Sequence, residues 1–240
     1  MKKWLTLFIV VLISTPISVV KADELLVGHF SAIPHGIYPE GWNPLVFEKI
    51  DKHTEYSHIL NGKTGVVEAD SRQSSSGLIK SIEISTGKWP VISWRWKIDH
   101  ILQKGDVTKK SGDDYSARIY ITFKYEPDKV SFFERIKFNL IKLFYGEYPP
   151  TSAINYIWAN KAEKGLIVDN PYTDRVKMIV IESGSAKQGQ WLMEKRNIVE
   201  DYRKAFNDDP PMISGIAIMT DTDNTKEASR AWYGDIIFHN

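Results

Sequence analysis

Residues 91–99 read VISWRWKID, residues 115–125 read YSARIYITFKY, and SGDD at 111–114 closes the loop between them. In an extended chain successive side chains point to opposite faces. Ile92, Trp94, Trp96 and Ile98 then share one face, and Ser93, Arg95, Lys97 and Asp99 share the other. The second segment sorts the same way: Ala117, Ile119, Ile121 and Phe123 oppose Ser116, Arg118, Tyr120, Thr122 and Lys124. A strand with one apolar and one polar face belongs in an antiparallel sheet covered on one side. Large aromatics at alternating apolar positions pack inward, so Trp94 and Trp96 are expected in the core and not on a sugar-stacking surface.

Short β-like runs recur on both sides of this pair: Thr54–Leu60, Thr64–Ala69, Ser76–Ile84, Ala153–Ala159, Leu166–Val168, Val176–Ser183, Met212–Asp221 and Ala231–His239. Turn residues such as Asn61-Gly62 and Gly87-Lys88-Trp89-Pro90 separate several of them. This rhythm predicts an all-β protein, a jelly-roll-like antiparallel β-sandwich with one or two peripheral helices. One helix is expected at about 129–145, where Phe133, Ile136, Leu140, Leu143 and Phe144 fall near helical spacing. A second is expected over Trp191–Phe206, which is charged and periodic. The 129–145 helix packs its apolar stripe on the sheet in the favoured reading; lying on a membrane surface is the other.

The N-terminus carries Lys2 and Lys3, an apolar run from Leu5 to Ile13, and Val20-Lys21-Ala22 before a polar Asp-Glu. That pattern predicts a signal peptide over 1–22, cleaved near Ala22, and an exported (periplasmic or secreted) protein. Residues 23–240 then form a single domain, large enough for a sizeable core. The 240-residue chain has no cysteine, so packing alone must stabilise it. A net charge of +1 supplies no global field for nucleic acid, and no nucleic-acid partner is expected. Eight Trp, 11 Tyr and 10 Phe suit an all-β core.

SWRW (93–96), DDYSARIYITF (113–123), INYIWAN (154–160), VIESG (180–184), W…EKRNIVEDYRKAF (191–206) and IAIMTDTDNT…AWYGDIIF (216–238) resemble the bacterial domain of unknown function 3047 family. That resemblance covers nearly all of the chain after residue 22 and implies no established activity. The architecture is also similar, more distantly, to jelly-roll carbohydrate-binding modules of the galactose-binding-like type. The counterparts there are Gly41-Trp42, Trp94 with Trp96, and the closing strand Tyr233–Phe238. This second resemblance implies that Asp235 sits where several such modules place a carboxylate on structural calcium. Tyr233 and Ile237 are expected on its face.

If the two central strands pair with each other, Lys97 falls opposite Arg118 and Arg95 opposite Tyr120. Like charges across a ladder call for an acidic partner or an anionic ligand. Asp99, Asp113 or Asp114 could supply it; Asp113-Asp114 could also cap a turn, or divide acid and base roles with Glu182. Asp221-Thr222-Asp223-Asn224-Thr225 begins like a calcium loop but lacks the Gly and the bidentate Glu of an EF-hand. Trp158 and Trp191, near segment ends, are the stacking candidates. No zincin, nucleophile-elbow, P-loop or dinucleotide motif stands out, and the six histidines are scattered. The expected function is a non-catalytic binding module for a glycan or another envelope polymer. Its ligand surface is Arg95, Asp113, Asp114, Arg118, Tyr120, Trp158, Asp221 and Asp223; Asp235 is the candidate metal ligand and calcium the candidate cofactor. The alternatives are a polysaccharide hydrolase or lyase using Asp113, Asp114 and Glu182, and an envelope scaffold or membrane-associated protein.

Overall fold

The computed structural model describes residues 23–34, 36–130 and 149–240. The expected signal peptide and nearly all of the expected 129–145 helix lie outside them.

Thirteen strands are seen among the described residues: β1 (Glu24–Gly28), β2 (Asn43–Leu45), β3 (Glu55–Asn61), β4 (Thr64–Arg72), β5 (Ser75–Ile84), β6 (Val91–Ile98), β7 (Arg118–Phe123), β8 (Ser152–Ala159), β9 (Ile167–Asn170), β10 (Thr173–Ser183), β11 (Leu192–Asn197), β12 (Ile213–Asp221) and β13 (Ala228–His239). They form two packed sheets. The first runs β11-β6-β13-β4-β3, with β1 also on β13; the second runs β2-β5-β12-β7-β8-β10-β9. All pairs are antiparallel except β8 with β10. The fold is the expected jelly-roll-like β-sandwich, with that one parallel pair added.

Period-two alternation assigns the core correctly. Trp94 and Trp96 are fully buried, as are Ile92, Ile98, Ile119, Ile121 and Phe123. Trp94 stacks on Tyr156 of the opposite sheet with ring centroids 5.1 Å apart, and meets Trp96 edge-on at 5.4 Å. Offset and edge contacts of this kind add to the burial of each ring.

Three expectations are corrected. The two central strands do not pair: β6 lies between β11 and β13, and β7 lies between β12 and β8. They belong to different sheets, so Lys97 does not meet Arg118 and Arg95 does not meet Tyr120. The Trp191–Phe206 segment is helical only in its second half. Leu192–Asn197 takes up the edge of β6, with Met193 opposite Arg95. Glu194, Lys195 and Arg196 are good helix formers, but an open sheet edge outbids a propensity of a few tenths of a kcal/mol per residue. The helix proper is Ile198–Phe206. Asn197 caps it, its side chain accepting from the Val199 and Glu200 amides at 3.1 Å each, and Asn207 ends it at φ 55°. Lastly, the closing strand shifts register between Tyr233 and Ile236. Tyr233, Ile236 and Phe238 therefore point inward, and Asp235 and Ile237 lie on the less buried side.

Candidate functional site

The outward face of β7 and β12 is covered by loops and becomes the floor of a cleft of about 450 Å³. Arg118 and Tyr120 come from β7, Met219 and Asp221 from β12, and Ser75 from β5. Asn170 and Tyr172 reach in from the turn between β9 and β10, and Phe47, Lys49 and Ile50 from the segment before β3. Asp113 stands just before β7, and Asp223 and Asn224 just after β12. β7 and β12 are hydrogen-bonded neighbours, which brings Arg118 opposite Met219 and two residues from Asp221.

Arg118 is the pivot. It is 3% exposed, and its Nη2 donates to Asp221 Oδ2 in a buried ion pair. Its guanidinium carbon lies 5.2 Å from the Tyr115 ring centre and 5.3 Å from that of Tyr120. Such cation–aromatic contacts help to hold a desolvated cation. Burial works against the charge, but Asp221, then Tyr120 and Asp113, outweigh it and hold the Arg118 pKa well above its usual value. Arg118 Nη1 lies 3.8 Å from Asp113 Oδ1, too far for a hydrogen bond. Nη1, Nε and Asp113 Oδ1 are all buried and without a hydrogen-bond partner.

The acidic residues divide by role. Asp113 Oδ2 accepts from Asn170 Nδ2 at 2.8 Å, and burial pushes its carboxyl above the usual range. Asp221 Oδ1 accepts from the Tyr115 amide at 3.3 Å. Burial raises Asp221 too, opposed by Arg118 and reinforced by Asp114, Asp113 and Asp223. Asp114 holds the far loop: Oδ2 accepts from the Thr225 amide at 2.6 Å and from Thr225 Oγ1 at 2.7 Å, and Oδ1 from Asn224 Nδ2 at 3.1 Å. Asn224 Oδ1 in turn accepts from the Tyr172 hydroxyl at 3.1 Å, which fixes that ring at the cleft mouth.

Asp114, Asp221 and Asp223 have carboxylate oxygens within 4.8 Å of one another, a spacing that suits a hard cation. Most of those oxygens are already engaged; Asp223 Oδ1 is buried and has no partner. A cation binding through Asp221 Oδ2 would compete directly with Arg118. The calcium role expected for Asp235 does not fit: its two oxygens accept from the Ser31 amide at 2.8 Å and from Ser31 Oγ, tying the N-terminal segment to β13.

The structure therefore brings together Asp113, Asp114, Arg118, Tyr120, Asp221 and Asp223, and excludes three other residues. Trp158 is 2% exposed, packs on Trp96 and donates its Nε1 to the Gly184 carbonyl at 3.1 Å; it is a core residue and not a stacking platform. Arg95 lies on the outer face of the first sheet, on the other side of the sandwich. Glu182 is buried at the end of β10 and paired with Lys187 at 2.6 Å and Lys164 at 3.4 Å. It does not line the cleft, so the carboxylate set of the hydrolase reading does not converge. Tyr172, Asn170 and Phe47 were missed. The Asn170-Pro171-Tyr172 turn was the available signal, an Asn-Pro step that presents its next residue at a loop tip.

The family model described as "Protein of unknown function (DUF3047)" matches residues 40–237. The chain belongs to that family. No curated protein matches its sequence. Among solved structures, it is similar to the family 11 carbohydrate-binding module of the cellulosomal cellulase Lic26A-Cel5E of Clostridium thermocellum. The identity is 12%, the TM-score 0.43, and 91% of this chain and 95% of that one are covered. A variant family 29 carbohydrate-binding module complexed with mannohexaose matches at 8% identity and TM-score 0.40, covering 92% and 93%. Endoglucanase 3 of Trichoderma harzianum, from family GH12, matches at 8% identity and TM-score 0.39, covering 92% and 98%.

Proposed function

We propose that this chain is an exported, non-catalytic binding module whose cleft on the second sheet takes a neutral glycan or a similar hydroxyl-rich envelope polymer. One observation carries the reading. Arg118 Nη1 and Asp113 Oδ1, a donor and an acceptor, stand 3.8 Å apart at the cleft floor, both lacking hydrogen-bond partners. Buried polar groups left unmade cost about 1–3 kcal/mol each. A hydroxyl bridging the two from the cleft side accepts from the guanidinium and donates to the carboxylate, satisfying both. Tyr172, 55% exposed, and Phe47 at the rim offer apolar surface to a sugar ring.

Charge decides among glycans. The cleft is lined by three carboxylates, Asp113, Asp221 and Asp223, with Asp114 behind them, against the Arg118 guanidinium and Lys49. An added uronate carboxylate meets net repulsion there, and a neutral sugar does not. The test is a glycan array followed by calorimetry on the full chain, with Asp113→Ala and Tyr172→Ala beside it. Neutral oligosaccharides are expected to bind, and each substitution to weaken binding at least about tenfold. Arrays without a neutral ligand, or binding indifferent to both substitutions, would sink the reading.

A further inference from the structure

The outer face of the first sheet carries a second constellation, remote from the cleft. Trp191 precedes β11, and its indole Nε1 donates to Asn61 Oδ1 at 3.2 Å at the end of β3, the strand on the opposite edge of that sheet. The Arg95 guanidinium lies 5.0 Å from the Trp191 ring centre, and Lys97 Nζ lies 5.5 Å from it. Lys97 Nζ also lies 4.1 Å from the centre of the Trp232 ring, directly across the β6–β13 ladder. Trp232 is pinned by its own Nε1, which donates to Glu68 Oε2 at 2.7 Å.

The backbone is shaped for Arg95. A Cβ on Gly234 would come within 2.2 Å of Arg95 Nε and 2.4 Å of its Cγ, so the side chain lies across the bulge of β13 at a position only glycine permits. On β11, Met193 pairs with Arg95, and Lys195 falls on the same face two residues on. Met193 is 69% exposed.

The charges on this face are unequal in their pairing. Glu68 serves Trp232, Asp70 takes Arg72 and Arg230, and Asp235 at the bulge opposite Arg95 serves Ser31. Among the described residues no carboxylate pairs with Arg95, Lys97 or Lys195. Arg95, Lys97 and Lys195 outnumber Glu68 and Asp235, whose neutral donors leave them charged, and two of the three cations are set against fixed indole rings; this surface complements an anionic chain that also presents flat apolar faces. Sugar rings bearing carboxylates have both properties.

We propose that the outer face of the first sheet, centred on Trp191, Arg95 and Lys97, binds an acidic polysaccharide. The site is independent of the cleft. It has the opposite charge preference, so the two faces of one sandwich would hold two different polymers.

Affinity electrophoresis of the full chain through gels containing polygalacturonate, or dextran as the neutral comparator, tests this. The wild type is expected to be retarded by polygalacturonate and not by dextran, and the retardation to fall with added salt. Arg95→Gln with Lys97→Met is expected to weaken it at least tenfold, with melting monitored in parallel. Lys195→Glu lies at an exposed position that leaves the core alone, and is expected to weaken it several-fold if the double variant does not fold. Tyr172→Ala should leave it unchanged. The proposal is overturned by absent retardation, by retardation that survives the sheet substitutions, or by loss on Tyr172→Ala, which would move acidic binding to the cleft. Binding to phosphatidylserine vesicles without polygalacturonate binding would equally overturn it, in favour of a membrane contact.

Discussion

Asp113 Oδ1 and Arg118 Nη1 stand 3.8 Å apart, each buried and each without a hydrogen-bond partner. A polar atom reaching both from the side could hydrogen-bond to each. The arrangement also makes Asp113 a burden on the empty protein. Burial holds the Asp113 carboxyl above its usual range, so the folded state keeps this proton to higher pH than the unfolded state does. A raised carboxyl contributes its stability below the unfolded value of about 4 and loses it as pH rises through the folded value. Asp113→Asn keeps an oxygen for Asn170 and removes the charge. Its melting temperature is expected to match the wild type near pH 3.5 and to exceed it increasingly as pH rises. Thermal melts across that range check this; a constant difference would show that Asp113 does not titrate in the window.

The Arg118–Asp221 pair predicts a double-mutant result. Removing one member of a buried pair strands the other, at a cost of about 3–5 kcal/mol. Arg118→Met alone should lose that much in urea denaturation. Arg118→Met with Asp221→Leu should recover part of it, because Asp221 is no longer stranded while Asp113 still loses the guanidinium. Additive losses would mean the pair is not coupled.

Two aromatic residues separate binding from folding. Trp158 is in the core, and Trp158→Ala should cost about 3–5 kcal/mol. Tyr172 stands at the cleft mouth, so Tyr172→Ala should change stability by no more than about 0.5 kcal/mol. Its effect is expected in glycan affinity instead, about tenfold or more. The reverse assignment of the two phenotypes would contradict the geometry of the cleft.

Glu182 gives the opposite pH sign to Asp113. Burial raises its carboxyl, but Lys187 and Lys164 outweigh burial and hold it below the usual range. Its stabilisation is present above the unfolded value of about 4.3 and lost as pH falls. Glu182→Gln should therefore melt earlier than the wild type at pH 7 and alongside it near pH 3. Because Glu182 does not line the cleft, glycan affinity should not change; a loss of affinity would reopen the hydrolase reading.

Much of this was legible from residue order. Alternation is a local property: the side-chain period of two places Trp94, Trp96, Ile119 and Ile121 inward whatever their neighbours, and it leaves Arg118 and Tyr120 on the other face. The strand runs and the Asp113, Asp114 and Asp221–Asp223 loops were visible for the same reason. Strand partnership is not local. The period of β6 and of β7 is the same whether they pair or face each other across a core, so Arg95 was grouped with Arg118, and only the sheet order β11-β6-β13 places it on the other side. The edge of β6 likewise decided that Leu192–Asn197 is strand, against its helix-forming composition. Residue order decides the faces of β6 and β7, but not of β13, where the register shift turns Tyr233 inward and leaves Asp235 on the less buried side. The tertiary structure alone decided which faces meet, because hydrogen bonds between distant strands bring Asp113, Arg118 and Asp221 to one floor and no local spacing encodes them.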